Sequence, residues 1–402
     1  MKGDIFRDRL CLQKNNLDSP ELVRDLKEVR TKLISPPTEN IRQLIHKIIL
    51  EILRKFPVKN QILFITIRKD SELEGNAKAL YPYIKGRKVV RAKMLPHDLF
   101  TELRLFFQVY TSKVIVTDDY LRYLRNFELQ KDQRVIQLWH ACGAFKKFGQ
   151  RGTNVSALTD SATHAQYNLV TVSSEEVRCI YADAFNIDIH KVKALGVPRT
   201  DYFFDQKWIH NTRESIYAVY PEWRKKKIIL YAPTFRDNKA GRSEYRPHLD
   251  FQRLSENLLS DQIFILCPHP VMKNIIMERE YENIKVIREF CTNDLMHVSY
   301  MLITDYSSVI FEYALLRKPI AFFCYDLPDY NRGFYLNYPD DLPGSVYETQ
   351  EELICYIRAV DQHKVTDKHE KFLKRYMSAC DGHSCERIAA LINSYMEKDD
   401  VL

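Results

Sequence analysis

The sequence predicts an α/β protein with two doubly wound domains that face each other across a central cleft. Three observations lead to this prediction. Short, continuously apolar segments recur along the 402-residue chain, and helical stretches fit between them. Segments that are apolar throughout, rather than alternating with polar residues, are typical of parallel strands covered on both faces. The pattern restarts after a break near residues 204–224, so the chain carries two strand–helix series of similar size.

The first series predicts five strands, and a helix at Ala77–Ile84 follows the first of them. The strands are expected at Ile62–Ile67, Lys88–Ala92, Lys113–Thr117, Val135–Trp139 and Leu169–Val172. The second series again predicts five. These are expected at Lys225–Leu230, Ile263–Leu266, Lys285–Ile287, Tyr300–Thr304 and Pro319–Phe323. Because ligands bind at the carboxyl ends of such strands, we look for functional residues there.

We expect four segments in the chain. An N-terminal helical segment covers residues 1–57, two α/β domains cover 58–204 and 205–375, and a C-terminal helix covers 376–402. Within the first segment, Ile41–Phe56 has isoleucines at helical spacing and a basic opposite side, and Pro57 ends it. Two interpretations stay open: a helix that packs on its own domain, or one that lies on an anionic membrane.

Composition excludes several classes of protein. With 45% hydrophobic and 28% charged residues the chain is neither disordered nor fibrous. Only 11 glycines occur and none forms G-x-G or a P-loop, which excludes the common glycine-rich phosphate loops. The nine cysteines never form C-x-x-C, and we expect buried thiols in a reducing compartment. No apolar stretch approaches the roughly 20 residues of a membrane span, so we expect a cytoplasmic protein.

Polar residues follow four of the predicted strands at the rim of the inferred cleft. His140 comes just after one strand and is followed by Gly143, Lys146 and Lys147. An imidazole beside lysines suits a general base next to an anion site. A structural, hydrogen-bonded histidine is the alternative.

Two further strands of the second series end in candidate residues. Thr234 offers a hydroxyl and Arg236 a planar fork for phosphate, although a surface pair of Arg236 with Asp237 is equally compatible with the sequence. His269 lies between two prolines, which fix its backbone. That constraint favours a functional histidine.

The fourth segment runs from Thr304 and Asp305 through Ser307 and Ser308 to Glu312. Hydroxyls at a helix start favour phosphate binding, and an acid one turn later is placed for ribose hydroxyls. An ordinary serine N-cap is the alternative. The set is typical of a nucleotide site.

Together these segments resemble the CDP-glycerol glycerophosphotransferase family, which primes and polymerises teichoic acids and related capsules in bacteria. The matches run in order over about residues 60–390. They are Glu74–Tyr81, Val116–Tyr120, Trp139–His140, Gly196–Asp201, Tyr231–Asp237, His269–Pro270, Ile303–Tyr313, Phe323–Tyr330, Arg332–Phe334, Leu342–Gly344 and Asp381–Gly382. This chain departs from the family's frequent Trp-His-Gly, because Ala141 follows His140 and glycine is delayed to Gly143. Phe235 also replaces a tryptophan before Arg236.

The resemblance implies a GT-B architecture with two Rossmann-like domains, the C-terminal one holding the cytidine nucleotide. It implies His140 as the base and a second essential histidine at His269. Ser307, Ser308 and Glu312 look like the phosphate and ribose contacts. With Arg236, these residues form the expected catalytic and substrate-binding set, which also includes Lys146, Thr234, Thr304 and Asp305.

The implied reaction is transfer of glycerol phosphate or ribitol phosphate from a CDP-polyol to a lipid-linked polyol-phosphate acceptor, with release of CMP. We expect an enzyme of cell-wall synthesis that is peripheral on the inner face of the bacterial membrane and needs no cofactor. No metal is expected, since no Asp-x-Asp or His/Cys cluster with ligand spacing occurs. A GT-B glycosyltransferase using a nucleotide sugar and a silent membrane-associated scaffold are the alternatives. Nucleic-acid binding is excluded, because the lysines form no stripe with interleaved aromatics.

Overall fold

The structure is a computed structural model. It describes residues 48–66, 72–91, 99–152, 161–236, 244–245, 247–272, 274–330 and 333–397. The chain divides into two compact units, Met1–Pro57 and Val58–Leu402. In the first unit, residues 48–54 are helical, and Ile49, Leu50 and Leu53 are buried. Residues 41–47 of the expected amphipathic helix lie outside the described residues.

The second unit contains two six-stranded parallel sheets. The first sheet has the order β2-β1-β3-β4-β5-β6. Its strands are β1 (Lys59–Ile65), β2 (Arg87–Arg91), β3 (Ser112–Thr117), β4 (Arg134–Gln137), β5 (Leu169–Thr171) and β6 (Val192–Lys193). The five expected strands are all present. The sequence missed β6, because two residues are too few to show an apolar run.

The second sheet has the order β11-β9-β7-β12-β13-β14, and β8 pairs separately with β10. The strands are β7 (Lys227–Ala232), β8 (Glu244–Tyr245), β9 (Gln262–Leu266), β10 (Asn274–Ile275), β11 (Ile284–Val286), β12 (Ser299–Thr304), β13 (Ile320–Phe323) and β14 (Ser345–Tyr347). The five expected strands are again present. The half-exposed edge strand β14 was missed, because it lacks an apolar run.

Helices cover the sheets. They are α1 (Gly75–Leu80), α2 (Leu99–Thr111), α3 (Ser161–Ala165), α4 (Glu175–Phe185), α5 (Gln206–Val219), α6 (Phe251–Asn257), α7 (Thr292–Val298), α8 (Val309–Ala314), α9 (Gln350–Arg358), α10 (Asp367–Tyr376) and α11 (Ser384–Glu397). The expected helix at Ala77–Ile84 ends earlier than predicted, because Pro82 lies in a 3-10 turn at Tyr81–Tyr83. Helix α9 begins with a capping box between Thr349 and Glu352.

The strand order reverses once in each sheet, between β1 and β3 and between β7 and β12. We call the β1–β6 sheet with its helices the first lobe, and the β7–β14 strands with theirs the second lobe. In doubly wound sheets the crevice at such a reversal, beyond the carboxyl ends of the strands, is where ligands bind. The fold therefore defines two candidate rims.

Helix α11 returns to the first lobe. Its buried residues Cys385, Ile388 and Ile392 join the core formed by residues such as Ile62 and Phe64 of β1. The chain thus passes between the lobes twice. The last helix of the sequence completes the core of the first sheet.

The cysteines among the described residues are free thiols. Cys142, Cys267, Cys324, Cys380 and Cys385 are buried as expected. The expectation was wrong for the others, since Cys179, Cys291 and Cys355 lie at the surface of α4, before α7 and on α9. Two of them lie on helices and Cys291 just before one, so which side of a helix each faces decides its exposure.

Candidate active site

Thr234 and Asp305 form hydrogen bonds at the point where the strand order of the second sheet reverses. The backbone N–H and the hydroxyl of Thr234 donate to the carboxylate of Asp305 at 2.9 and 2.6 Å, and the Tyr306 N–H donates to it at 2.6 Å. Thr304 donates its hydroxyl to the Ala232 carbonyl at 2.7 Å. All of these side chains are buried. Thr234, Thr304 and Asp305 hold two strand ends together, and their expected role in substrate binding stays a prediction.

Arg236 faces two carboxylates of its own lobe. Its guanidinium lies 2.9 Å from Asp305 and 2.6 Å from Asp326, and Nη1 donates to the Thr234 carbonyl at 2.7 Å. Burial opposes the charge, but the two aspartates raise the pKa of Arg236 above its usual range. The fork that we expected on the diphosphate is thus occupied by Asp326 and Asp305. The alternative pair of Arg236 with Asp237 is not tested, because Asp237 lies outside the described residues.

His269 presents its ring at the surface beside the first lobe. Its Nδ1 accepts the Val271 N–H at 3.2 Å, which leaves the proton of the neutral ring on Nε2. The Phe235 ring lies 5.0 Å away. Burial by neighbouring groups and the Lys146 ammonium lower the pKa of His269. At neutral pH this ring is a neutral hydrogen-bond donor through Nε2.

Ser307 and Ser308 lie half-buried at the start of α8. The Ser307 hydroxyl accepts the Val309 N–H at 3.4 Å, whereas the Ser308 side chain makes no capping bond. Tyr306, just before them, stacks on Tyr330 at 3.8 Å. The serines thus follow an aromatic pair at the second rim.

Lys146 brings the first lobe to this aromatic pair. Its ammonium lies 5.6 Å from the centre of the Tyr330 ring, and its backbone pairs with Phe334 in an antiparallel bridge. On either side, Lys147 N–H donates to Gly333 and Tyr335 N–H donates to Phe145. Lys146, six residues after His140, therefore lies where the lobes meet, close enough to His269 to act on its charge.

His140 is exposed on the opposite rim, with 43% of its side chain accessible. Its Nδ1 lies 3.7 Å from the carboxylate of Asp119, which is 8% exposed at the end of β3. A carboxylate on the Nδ1 side of an imidazole orients the ring, as in the catalytic triad of serine hydrolases. Asp119 was quoted in the resemblance but not predicted as a site residue.

Backbone and side-chain hydrogen bonds hold the turn that carries His140. Trp139 has a left-handed φ of 54°, unusual for a residue with a side chain. Its N–H donates to Gln137 Oε1 at 2.8 Å, and its carbonyl accepts from Asn76 Nδ2 at 2.7 Å. The Gln137 amide also donates to the Asp119 carbonyl. The Gln137 side chain thus holds the backbone next to His140 and the backbone of Asp119.

The turn continues against the second lobe. Tyr181 donates its hydroxyl to the carbonyls of Ala141 and Gly143 at 3.2 and 3.0 Å. Gly143 has φ 56°, and a Cβ there would lie 2.3 Å from the ring of Phe311 on α8. Position 143 therefore requires glycine, because any side chain there would collide with Phe311 of the second lobe.

Glu312 does not face the rim. It is 2% exposed, and its Oε1 accepts from Nε of Arg199 at 3.0 Å and from Nη2. Arg199 also donates from Nη1 to the His140 carbonyl at 2.8 Å and from its backbone N–H to Asn76. In this structure the Glu312 carboxylate is thus paired with the first lobe, and the expected contact with ribose stays a prediction. Arg199 was not predicted as a site residue, and its only signal was the Gly196–Asp201 segment of the resemblance.

No three His, Cys, Asp or Glu side chains group closely enough to hold a metal ion anywhere in the described residues. The expectation that no metal is required stays a prediction.

Residues 48–394 match the protein family described as CDP-Glycerol:Poly(glycerophosphate) glycerophosphotransferase. The chain belongs to this family. The resemblance drawn from the ordered motifs is thus confirmed. The match begins in the helical residues of the first unit and includes every site residue considered above.

Two proteins of Bacillus spizizenii are similar in sequence to this chain. A teichoic acid poly(ribitol-phosphate) polymerase is 35% identical over 87% of this chain and 59% of its own length. A teichoic acid ribitol-phosphate primase is 33% identical over 85% of this chain and 92% of its own length. The chain therefore spans little more than half of the polymerase but most of the primase.

The solved structure of the wall teichoic acid polymerase TagF has the same fold. It superposes with a TM-score of 0.74 at 21% identity, over 90% of this chain and 96% of that chain. With the two parallel sheets described above, this confirms the GT-B-like architecture.

Proposed function

We propose that this protein transfers a polyol phosphate from a CDP-polyol to a hydroxyl of a lipid-linked acceptor in teichoic acid or capsule synthesis, releasing CMP. Family membership and the names of the relatives support the reaction class. The observation that carries the proposal is the turn at His140. It carries an accessible imidazole, 3.7 Å from the Asp119 carboxylate, on a hydrogen-bonded backbone. The second lobe supplies a half-buried serine pair.

His140 serves as the general base. Its Nε2 takes the proton of the acceptor hydroxyl while that oxygen attacks the phosphorus of the polyol phosphate. The bond from this phosphorus to the CMP phosphate breaks, and CMP leaves with the bonding electrons. Asp119 stabilises the imidazolium that forms. Most of the acceleration in such phosphoryl transfer comes from positioning and charge stabilisation.

The donor diphosphate lies between His269, Lys146 and the serine pair. His269 donates from Nε2, Lys146 supplies a positive charge, and the hydroxyls of Ser307 and Ser308 contact the phosphates. Thr234, Thr304, Asp305 and Arg236 support this rim from beneath rather than touching the donor.

The test is CMP release from CDP-ribitol and CDP-glycerol, assayed separately with a lipid-linked acceptor. Because both Bacillus spizizenii relatives are named for ribitol phosphate, we place CDP-ribitol first. We expect His140→Asn to lower turnover roughly 10²–10⁴-fold, as for loss of a general base. Turnover should be unaffected by EDTA.

The control is His210→Asn, which changes an exposed histidine on α5. Equal activity of the two variants would remove His140 from the mechanism. Turnover of a UDP-sugar, with neither CDP-polyol used, would favour a nucleotide-sugar glycosyltransferase instead.

A further inference from the structure

The ion pair between Arg199 and Glu312 connects two parts of the proposed site that belong to different lobes. Glu312 lies on α8, one turn beyond Ser308, whereas Arg199 follows the last strand of the first lobe. The pair is 15% and 2% exposed, respectively, and is thus shielded from solvent. Screening by salt or water is therefore weak at this contact.

Besides Glu312 and Asn76, Arg199 also contacts the carbonyl of His140. Nη1 donates to the carbonyl of His140 at 2.8 Å, while Nε and Nη2 face Glu312. A planar guanidinium holds its donors at fixed angles, so the carboxylate on α8 and the carbonyl of His140 are set relative to each other. The Arg199 backbone N–H extends this to Asn76, which holds the Trp139 carbonyl.

We infer that Arg199 is a positioning residue that fixes His140 relative to the donor-binding helix α8, with Glu312 as its anchor on that helix. The inference rests on the proposed function and deepens it. Serines at the start of α8 hold the donor phosphate, and the base stands on the other lobe. A rigid connection between the two sets the distance over which the acceptor oxygen must reach phosphorus.

A positioning role and a nucleotide-binding role for Glu312 predict changes in different kinetic parameters. A group that touches ribose affects the affinity for CMP and the KM for the donor. A pair that acts through the His140 carbonyl affects kcat, since a misplacement of about 1 Å at a reacting group costs about 100-fold. Both members should then act as a unit.

The experiment compares Arg199→Lys, Glu312→Gln and the double variant Arg199→Met/Glu312→Gln. Lysine keeps the charge but cannot reach the carboxylate and the His140 carbonyl together. The double variant removes both charges of the pair, so neither partner is left without the other, which keeps the test usable if a single variant is recovered unfolded. Arg224→Lys is the matched control, in an exposed pair with Glu214 on the second lobe.

We expect kcat to fall about 10- to 100-fold in each variant, with the double variant no worse than the more affected single one. CMP affinity should stay within threefold of wild type, and Arg224→Lys should leave kcat unchanged. A tenfold loss of CMP affinity in Glu312→Gln with kcat retained would overturn the inference in favour of ribose binding. Variants that all keep kcat within threefold would overturn it as well. Absence of CMP release by the wild type would instead refute the proposed function.

Discussion

Two imidazoles of the proposed site differ in the charge of their neighbours. His140 has the Asp119 carboxylate 3.7 Å from its Nδ1. His269 has a backbone N–H at Nδ1 and the Lys146 ammonium nearby, which favour the neutral ring. The residue-scale environment thus suits one histidine to accept a proton and the other to donate a hydrogen bond.

Lys146→Gln should raise the pKa of His269, because the glutamine removes the positive charge that disfavours the imidazolium. The midpoint of the His269 ring resonances in an NMR pH titration should therefore move to higher pH. The exposed His383 ring serves as the internal control. An unchanged or lower midpoint would mean that Lys146 does not act on His269.

At the scale of elements, the turn after β4 is fixed from three sides. Asn76 of α1 and Tyr181 of α4 hold its carbonyls, and Phe311 of α8 packs against Gly143. Each of these contacts comes from a different helix. The position of the base is therefore a property of the assembled elements and not of the turn alone.

Gly143→Ala should destabilise the protein by about 2–5 kcal/mol. A left-handed alanine costs about 1–2 kcal/mol, and overpacking against Phe311 adds about 1–3 kcal/mol. Gly86→Ala is the matched control, because Gly86 also has a positive φ, of 84°, but nothing lies within 4 Å of its Cβ position. Urea denaturation measures both. Equal losses would show that the Phe311 contact does not govern the effect.

At the scale of the whole molecule, the stability of the first lobe depends on helix α11, which follows the second lobe in the sequence. Ile388 of α11 is fully buried in the core of the first sheet. Ile388→Ala should therefore cost about 2–5 kcal/mol. Exchange of the backbone amide hydrogens should become faster in β1 and β3. It should increase less in β7 and β12.

Ala390→Ser changes an exposed position of the same helix and should cost under about 1 kcal/mol. Equal acceleration of exchange in both sheets by Ile388→Ala would contradict a lobe-specific core.

Net charge and the N-terminal segment bear on whether the whole molecule contacts a membrane. The protein carries a net charge of +7, and no helix among the described residues is long and apolar enough to cross a bilayer. We propose that the basic side of Ile41–Phe56 contacts the anionic inner face of the cell membrane. Arg42→Glu/Lys47→Glu should then abolish sedimentation with anionic liposomes at low salt.

The control, Lys193→Glu/Lys207→Glu, makes the same change of net charge at exposed positions elsewhere. If both double variants lose sedimentation equally, net charge and not this segment is responsible.

The sequence by itself determined the two parallel sheets and the family. Continuous apolar strands can be recognised without knowledge of their distant partners. Ordered motifs at strand ends carry His140 and His269, the two histidines of the proposed site. It could not find β6 and β14, which are short edge strands, or the helix boundary set by Pro82.

Only the tertiary structure decided which polar residues face the cleft. Arg236 turned to Asp326, Asp305 to Thr234 and Glu312 to Arg199, while Asp119 came to lie beside His140. Sequence places a charged residue at a strand end, but the partners of Asp305, Arg236 and Glu312 lie 71, 90 and 113 residues away along the chain. Because a buried charge takes the nearest group that neutralises it, the packing of the lobes selects the partner.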